Sequence, residues 1–546
     1  APSPWQYWSN ANEVVISTRE TGTISVNLKK SDGTFITTLS VTASSPVSYR
    51  FTEVPSSLAR NNTGVTYTDR GLIVEATGAV LVNMRNIASD TTGADASTIK
   101  GNASLVSFGN EGRGLEFRLG YYRSSYTGLA TGNPIYSVMA IEDNTEVSLN
   151  GTVLTTLNGG ESRLFTAAMG ALLTADKSVV VNVGSYGDTP QTCSGNGEDG
   201  TVDQVAPVSV LGSQYIVVRG SGSSGNGIND PEQTTIVATQ PGTSVQVINY
   251  NSLGFQTSTP LTYNLTNAGS YQTFHHGDGS NQYSSSFIVS NNPVIVYSGT
   301  AVNCETDIST VMPIGGCAGS TNIITRKFID YSGTNLPYFG YILIESQTEP
   351  VLLNGQNIET LTGNSRIAVG TTGFYMLRFN NTNIGNPTAI QIQSVARLTT
   401  SIVQQGTGFS MSGFFSAFND SPETPTEVSS TPCSSTLTTT PGLDPYQWYL
   451  NGNSINVGGN NSTYNANQAG NYSVVITNNG CSVTSAISKL IAAPSVNAAN
   501  TAFCEGGSSL ITGISTGFTS PTYQWKVSTN DGLSFVNATG AGTTSL

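Results

Sequence analysis

Residues 293–300 read PVIVYSGT, and residues 178–185 read SVVVNVGS. Both stretches are apolar runs rich in valine that end in glycine and a hydroxyl residue. Such β-branched runs favour extended strands. Two looser copies are AVLVNMRN from residue 79 and TSIVQQGT from residue 400. The four copies recur about every 100 residues, and a fixed period is the signature of an internal repeat.

A second phrase precedes each copy and reads as a strand, a turn and another strand. Its four versions are TRETGTISVNL (18–28), IEDNTEVSLNG (141–151), ATQPGTSVQVI (238–248) and IESQTEPVLLNG (344–355). The same period appears when Ile24, Val147, Val245 and Val351 are taken as equivalent. Two independent phrases with one order and one period predict a fourfold repeat.

Short alternating runs dominate the chain, and turn residues interrupt them about every 8–12 residues, which is typical of an all-β protein. Each repeat has room for one β-sandwich, so we predict a fourfold β-sandwich-like repeat. The alternative is a β-propeller-like N-terminal region with two blades in each repeat. The predicted modules are residues 1–130 with a connector, 131–232, 233–339 and 340–418. The connectors at 107–120, 206–220 and 312–326 resemble one another, and each of the last two contains a proline, a Gly-rich turn and a β-run that ends in arginine.

The chain changes character after a Pro-, Ser- and Thr-rich linker at 419–432. The stretch YQWYL (446–450) predicts a strand around Trp448, and Asn451-Gly452 predicts a hairpin turn. A buried tryptophan beside a disulfide that joins two sheets is the immunoglobulin arrangement. We therefore predict an Ig-like module at 433–493 and a second, incomplete one at 494–546, where YQW recurs at 523–525.

Composition restricts the class of protein. Only 10% of the residues are charged and the net charge is −13, which argues against nucleic acid as a partner. No apolar run approaches the ~20 residues of a membrane span. A neutral surface rich in Gly, Ser, Thr and Asn suits an extracellular protein. We expect the beginning, APSPWQYW, to be an already processed end.

Six cysteines are widely spaced and form no CxxC pair, so we predict disulfides rather than a zinc or redox site. The first predicted pair is Cys433 with Cys481, and the second is Cys304 with Cys317. Cys504 is expected to pair beyond residue 546. Cys193 is either unpaired or pairs with Cys304 or Cys317, because the repeat places Cys193 and Cys304 at corresponding positions.

Motifs for catalysis are not found: the sequence contains no GxSxG, HExxH or P-loop. We predict no catalytic residue and no metal site. His275 and His276 are adjacent and would point to opposite faces of a strand, so a surface or turn role is expected. The acidic stretches GNGEDGTVD (195–203), GINDPE (227–232) and NCETD (303–307) are interpreted as solvated turns. Calcium is the alternative, and otherwise no cofactor is predicted.

Aromatic residues supply the candidate ligand surface. Trp5, Tyr7 and Trp8 lie in PWQYWSN, and Tyr121 and Tyr122 lie in LGYYRSSY. Each group either packs on its own module or forms an exposed surface for a ligand, and the sequence leaves both interpretations open.

The phrases VMAIEDNTEVSLNG, NNPVIVYSGTAVNC and VDQVAPVSVLGSQYIVV resemble the IgGFc-binding-protein N-terminal domain family over about 130–415. The repeat extends the resemblance back to about residue 12. The tail, 431–546, resembles the Ig/PKD-like repeats of Bacteroidetes surface proteins. That resemblance implies export by the type IX system and a gliding-motility-associated or adhesin-like role. Cys317 falls after Pro313, a departure from the animal members, and the antibody-binding activity is not carried over.

These observations predict a non-enzymatic adhesin, or a stalk or filament component, of the bacterial cell surface. Its expected partner is a surface glycan, a protein ligand or a neighbouring filament subunit. The alternative is a secreted polysaccharide-active enzyme with Ig-like spacers.

Overall fold

The computed structural model describes most of the chain. The described ranges are 1–10, 12–20, 22–53, 60–87, 103–124, 133–188, 199–222, 231–303, 305–315, 318–327, 337–361, 363–385, 389–406, 409–415, 425–431, 434–439, 445–478, 481–485, 489–491, 495–499, 502, 507–514 and 523–538. The chain divides into two compact units, Ala1–Phe418 and Asn419–Leu546. No helix in the described ranges is long and apolar enough to cross a membrane.

The first unit is built almost entirely from strands, which group into four modules. The first module contains β1 Asn12–Ser17, β2 Ile24–Lys30, β3 Phe35–Val41, β4 Val47–Arg50, β5 Thr66–Tyr67, β6 Leu72–Ala76, β7 Leu81–Asn86 and β8 Ala103–Val106. The second contains β9 Arg113–Arg118, β10 Ile135–Ala140, β11 Thr145–Leu149, β12 Thr152–Leu157, β13 Ser162–Phe165, β14 Leu172–Asp188 and β15 Asp199–Val205.

The third module contains β16 Gln214–Val218, β17 Ser221–Gly222, β18 Gln233–Ala238, β19 Thr243–Tyr250, β20 Leu261–Leu265, β21 Tyr271–His275, β22 Ser285–Ser290, β23 Val294–Asn303 and β24 Glu305–Thr310. The fourth contains β25 Ser320–Arg326, β26 Tyr338–Ile344, β27 Leu352–Leu353, β28 Gln356–Asn357, β29 Ile367–Ala368, β30 Tyr375–Asn380, β31 Ala389–Gly406 and β32 Phe409–Phe415. The helical pieces among the described residues are single turns: α1 Asn381–Ile384 and the 3-10 turns Gly109–Gly112, Val208–Val210 and Ile358–Thr360.

One antiparallel sheet, here called the inner sheet, recurs in every module. Its strand orders are β8-β7-β1-β4, β15-β14-β10-β13, β24-β23-β18-β21 and β32-β31-β26-β30. A second sheet lies against it, with orders β3-β2-β6, β12-β11-β14-β9, β20-β19-β22-β16 and β28-β27-β31-β25. The long strands β14 and β31 run through both sheets of their modules. Proline lacks the N–H that a strand interior needs, and in the third module Pro293 separates the corresponding strands β22 and β23.

Burial agrees with the repeat. Val147, Val245 and Val351 are fully buried, and Ile24 is 8% exposed. Val294 and Val296 also fill the core of their module. The prediction of an all-β fold with sandwich-like repeats is confirmed.

Connector strands pair with the module that follows them. β9 pairs with β14, β16 with β22, and β25 with β31. The sequence boundaries at 130, 232 and 339 placed these strands with the preceding module. The reason for the difference is that the strand that enters each of these modules forms the edge of the module's second sheet.

The four modules form a closed ring around their inner strands, which we define as β8, β15, β24 and β32. Each inner strand contacts the next in that order, and β32 contacts β8. The inner strand of one module also contributes an apolar residue to the core of the module before it in the ring. Val202 of β15 packs in the core of the first module, Ile308 of β24 in that of the second, and Val106 of β8 in that of the fourth. The inner sheets therefore radiate from one line, as propeller blades do, although each module is also a sandwich.

The second unit contains β33 Thr426–Thr431, β34 Ser434–Thr438, β35 Tyr446–Leu450, β36 Asn453–Ser454, β37 Thr463–Ala466, β38 Gly470–Asn478, β39 Cys481–Thr484, β40 Lys489–Ile491, β41 Ser495–Ala498, β42 Ile511–Ile514, β43 Lys526–Val527 and β44 Val536–Asn537. Two sheets, β33-β34-β37 and β36-β35-β38-β39, enclose Trp448, which is fully buried. Asn451 and Gly452 adopt positive φ angles of 50° and 79°, so the predicted hairpin turn is confirmed.

The second unit has an immunoglobulin-like core. The Tyr472 hydroxyl donates to the Gln468 carbonyl at 2.9 Å, which resembles the tyrosine corner of immunoglobulin folds. One local contact of Trp448 recurs at the partly buried Trp525. Gln447 Nε2 donates to the Trp448 carbonyl at 2.9 Å, and Gln524 Nε2 donates to the Trp525 carbonyl at 3.0 Å.

Candidate functional site

The aromatic residues near the beginning of the chain lie in the interior. Trp5 is 2% exposed, and the Arg60 guanidinium lies over both its ring and that of Tyr186, at 5.2 and 4.9 Å from the ring centroids. These are cation–π contacts, which gain strength where water is excluded. Trp8 is 1% exposed, and its indole N–H donates to the Asp69 carbonyl at 3.0 Å.

Tyr7 joins this interior to the second module. Asn182 Nδ2, on β14, donates to the Tyr7 hydroxyl at 3.3 Å. Burial raises the pKa of Tyr7 above its ordinary value, so its hydroxyl stays protonated. Trp5, Tyr7 and Trp8 thus pack the first module and fix it against the second.

Tyr121 and Tyr122 are also fully buried. The Tyr121 hydroxyl is 2.8 Å from Thr201 Oγ1 on β15. Tyr122 packs on Gly299, where a Cβ atom would lie 2.5 Å from its ring. Gly299 therefore permits a close approach inside β23 and does not turn the chain outward. For all five aromatic residues the ligand-surface interpretation is wrong, because the rings are buried in the cores of modules or where modules meet.

The histidines differ from the expected surface role. His275 ends β21 and is partly exposed, whereas His276 is fully buried. Nδ1 of His276 lies 3.0 Å from Thr234 Oγ1, which in turn lies 3.0 Å from Ser298 Oγ. The expected surface role is therefore wrong for His276, which belongs to a buried polar network of the third module.

Glu232, interpreted from sequence as part of a solvated turn, is fully buried. Its carboxylate lies 3.3 Å from Arg219 Nε, and both side chains are 0% exposed. It also accepts the N–H groups of Gly220 at 2.6 Å and Ala301 at 3.0 Å. Arg219 is the terminal arginine of the second connector, so this pair fixes the connector to β23.

A second buried ion pair lies where the ring closes. Arg85 on β7 is 3.2 Å from Glu13 on β1, with side chains 1% and 9% exposed. Arg85 also donates to the Arg326 carbonyl at 2.8 Å and to Thr325 Oγ1 at 3.2 Å, both in the fourth module. Burial lowers the pKa of Arg85 to about 10, while Glu13 opposes the shift, so Arg85 is charged at neutral pH.

Two further acidic residues lie on the inner strands. Asp203 on β15 is 5% exposed and Asp307 on β24 is 0% exposed. Their carboxylate oxygens accept backbone N–H groups from neighbouring modules. The solvated-turn interpretation is therefore wrong for both residues. The remaining acidic candidates are less informative: Glu305 is partly exposed, Glu198 and Asp230 lie outside the described residues, and so does the side chain of Asp199.

The metal and disulfide predictions concern residues that the structure describes only in part. Within the described ranges, no group of three or more His, Cys, Asp or Glu side chains is placed to hold a metal ion. Cys193, Cys304, Cys317, Cys433 and Cys504 lie outside the described residues, and only the backbone of Cys481 is described. The pairings Cys433–Cys481 and Cys304–Cys317 therefore stay predictions.

An exposed apolar turn is the feature that sequence reasoning missed. In the turn after β19, which we call the 253–255 tip, Leu253 is 63% and Phe255 68% exposed. The flanking residues carry no charge. The signal was the run LGF, two large apolar residues around a glycine in an otherwise polar hairpin.

The tip is held against the fourth module by its backbone. Gly370 N–H donates to the Gly254 carbonyl at 3.1 Å, and Arg378 donates to the Ser252 carbonyl. Gly254 has φ +81°, and a Cβ atom there would lie 1.9 Å from the Ala368 carbonyl oxygen. Only glycine fits this contact. The fold therefore fixes the turn and leaves its two apolar side chains in solvent.

Two of the solved structures that match the chain are only weakly similar to it. The crystal structure of the I9–I11 tandem of titin is 12% identical, over 50% of this chain and 97% of that one, with a TM-score of 0.10. The native conformation of E. coli alpha-2-macroglobulin, determined by cryo-EM, is 9% identical over 92% of this chain, with a TM-score of 0.11. This chain spans 37% of that structure. Neither similarity informs the fold, and no curated protein matches the chain.

Comparison with protein families gave a match that covers most of the ring. The family model described as IgGFc binding protein matches residues 114–227 and 204–477. These ranges include the strands of the second, third and fourth modules and reach β38 of the second unit. Together they cover two thirds of the 546 residues. The chain therefore belongs to the IgGFc binding protein family.

Proposed function

We propose that this chain is a non-enzymatic binding protein of the bacterial cell surface, an adhesin or a stalk component. The four-module ring is the binding head, and the immunoglobulin-like second unit is a spacer. Its ligand is a surface glycan or a protein. Membership of a binding-protein family and the neutral, hydroxyl-rich composition support this proposal.

The placement of the polar groups also supports a binding role. Arg85, Arg219, Glu232, Asp203 and Asp307 are buried and engaged in contacts within or between modules. These contacts make the ring a preorganised scaffold, and a preorganised scaffold lowers the entropic cost of binding.

The observation that carries the proposal is the 253–255 tip. Leu253 and Phe255 project from a turn whose backbone is fixed by Gly370 and Arg378. Large apolar side chains on a rigid protrusion can bind without losing backbone freedom, and aromatic anchors contribute strongly to binding interfaces. The residues that flank the tip in sequence carry no charge and the Arg378 guanidinium is engaged with the Ser252 carbonyl, which favours a neutral ligand surface over an ionic one.

The test is a binding screen of the purified chain on immobilised polysaccharides and proteins, with an IgG Fc fragment among them. We expect saturable binding to one class. The double variant Leu253→Ser/Phe255→Ser should weaken it at least about tenfold, the scale of a binding hot spot, with unchanged thermal stability. The matched control is Phe35→Ser, which alters a 58% exposed ring in the first module and should bind normally.

Three results would contradict parts of the proposal. Equal binding by the double variant would remove the tip from the site. Release of oligosaccharide products would favour the polysaccharide-active alternative. Filaments of the pure chain in electron microscopy would favour a structural subunit over an adhesin.

A further inference from the structure

At the centre of the ring, the inner strands have edges whose backbone groups need hydrogen-bond partners. β8, β15, β24 and β32 each end their inner sheet, so one edge of each strand has no ladder partner within that sheet. All four edges meet at the centre of the ring. Backbone N–H groups buried there without acceptors would cost free energy comparable to lost hydrogen bonds.

Asp307 supplies acceptors across three modules. Its Oδ2 accepts the N–H of Ser104 on β8 at 3.0 Å and that of Ser412 on β32 at 3.0 Å. Its Oδ1 accepts the N–H of Ile308 at 2.9 Å. One side chain of the third module therefore links inner strands of the first and fourth modules.

Asp203 adds the remaining module. Its Oδ2 accepts the N–H of Thr310 on β24 at 2.5 Å, which joins the second module to the third. The two carboxyl groups together connect all four inner strands. We call this pair the axial carboxyls.

No compensating charge for the axial carboxyls is found on the inner strands as far as the structure describes them. β8 and β32 contain no ionisable residue, β24 adds only Glu305, and β15 adds Asp199, whose side chain lies outside the described residues. Within the described ranges, neither Asp203 nor Asp307 has a cationic partner.

On the strands beside the inner strands, the ionisable side chains that the structure describes have other hydrogen-bond or ion-pair partners. The Tyr297 hydroxyl on β23 donates to the Arg118 carbonyl at 2.7 Å. Tyr186 on β14 donates to the Asn61 carbonyl, and Lys177 near the other end of β14 donates to the Asp143 carbonyl at 2.5 Å. Asp176 accepts the Glu146 N–H at 2.8 Å, Arg85 on β7 pairs with Glu13, and Arg397 on β31 donates to the Gly319 carbonyl.

Burial without a cation favours the neutral carboxyl. It raises the pKa of Asp203 to about 8 and the pKa of Asp307 well above its ordinary value, against the opposing effect of the backbone donors. The negative charge of Asp203 raises the pKa of Asp307 further, so the two groups titrate as a coupled pair.

We propose that the axial carboxyls form a proton-dependent closure of the ring. The inner strands are joined most firmly while both carboxyls are protonated, and the centre of the ring loosens as the carboxyls ionise, because the buried charges are desolvated and repel each other. This closure does not depend on the identity of the ligand.

The direction of the pH dependence follows from linkage. A carboxyl whose pKa is higher in the folded state than in the unfolded chain binds its proton more tightly when folded. Its contribution to stability is full below the unfolded value of about 4, and it is lost as the pH rises to about 8, the folded value for Asp203.

The test is hydrogen exchange of the full chain at pH 6 and pH 9, with rates divided by the intrinsic exchange rate at each pH. The amides of Ser104, Thr310 and Ser412 report directly, because they donate to the axial carboxyls. In the unmodified chain we expect their protection to fall at least about tenfold, the change that corresponds to one pKa unit.

The variant Asp203→Asn/Asp307→Asn keeps an oxygen acceptor at both positions but cannot ionise. In this variant the protection of the same three amides should change less than about threefold between pH 6 and pH 9. That is well below the tenfold change that corresponds to one pKa unit. Asp278→Asn is the matched control, since Asp278 also accepts backbone N–H groups but lies in a surface turn where those donors lower its pKa. This control should behave like the unmodified chain.

A measurement on the unmodified chain keeps the proposal testable if the double variant does not fold. Infrared difference spectra should show a protonated carboxyl carbonyl band at pH 6 that disappears by pH 10. Absence of that band, or pH-independent protection of the three amides, would overturn the proposal. Restoration of protection by Ca²⁺ at pH 9 would also overturn it, because the carboxyls would then be a cation site.

Discussion

Replacing Arg85 with methionine tests how the ring closes. The guanidinium is 1% exposed and joins Glu13 of the first module to Thr325 and Arg326 of the fourth. The variant would leave the Glu13 carboxylate buried without its cation and the Arg326 carbonyl without this donor. Removing one partner of a buried ion pair costs about 3–5 kcal/mol, which lowers the folded-to-unfolded ratio by roughly a hundredfold or more.

The assay is urea unfolding of the full chain, followed by hydrogen exchange to locate the change. We expect the free energy of unfolding of the first unit to fall by about 3–5 kcal/mol. Protection should be lost first in β7 and β25, the strands that Arg85 joins. The second unit should unfold as before.

Two control variants separate the buried pair from ordinary charge effects. Lys29→Met removes a surface pair with Glu75, whose N and O atoms are 2.7 Å apart and whose side chains are 29% and 52% exposed; it should cost less than about 1 kcal/mol. Glu13→Leu/Arg85→Met removes both charges and should recover part of the lost stability. A loss below about 1 kcal/mol for Arg85→Met alone, the size expected of a surface pair, would refute the role of this pair in closing the ring.

Two further substitutions test packing contacts. Gly299→Ala places a Cβ atom 2.5 Å from the Tyr122 ring and should cost about 1–3 kcal/mol by overpacking. Calorimetry should show no such loss for Gly22→Ala, where the added atom meets open space; equal effects would contradict the argument. Tyr472→Phe removes the hydroxyl that donates to Gln468 and should cost the second unit about 1 kcal/mol. A shift confined to the first unit in thermal unfolding would contradict that assignment.

The repeat was predictable because it rests on local patterns. Residues that alternate along a strand must place one face inward, so Val147, Val245 and Val351 could be recognised as equivalent core positions and are fully buried. Asn451-Gly452 likewise specifies its turn locally, because the turn requires positive φ at both positions. Family resemblance was visible in the same phrases, since they are the strands that define the module.

The candidate site was predicted poorly. Trp5, Tyr7, Trp8, Tyr121 and Tyr122 were candidates for an exposed surface, yet all five are buried. An aromatic residue has the same sequence signature in a core and on a binding surface. What distinguishes the two is whether another module covers it.

The sequence alone determined that this chain is an all-β protein with a fourfold repeat and a change of module type near residue 419, because strand periodicity and turn chemistry act over a few residues. Only the tertiary structure decided that the modules close into a ring, that Asp203 and Asp307 bridge its centre, and that Leu253 and Phe255 project from it. These features join residues up to some 300 positions apart, as between Ser17 and Ile324. The burial or exposure of a carboxyl or an aromatic ring is set by such distant contacts, which leave no periodic trace in the chain.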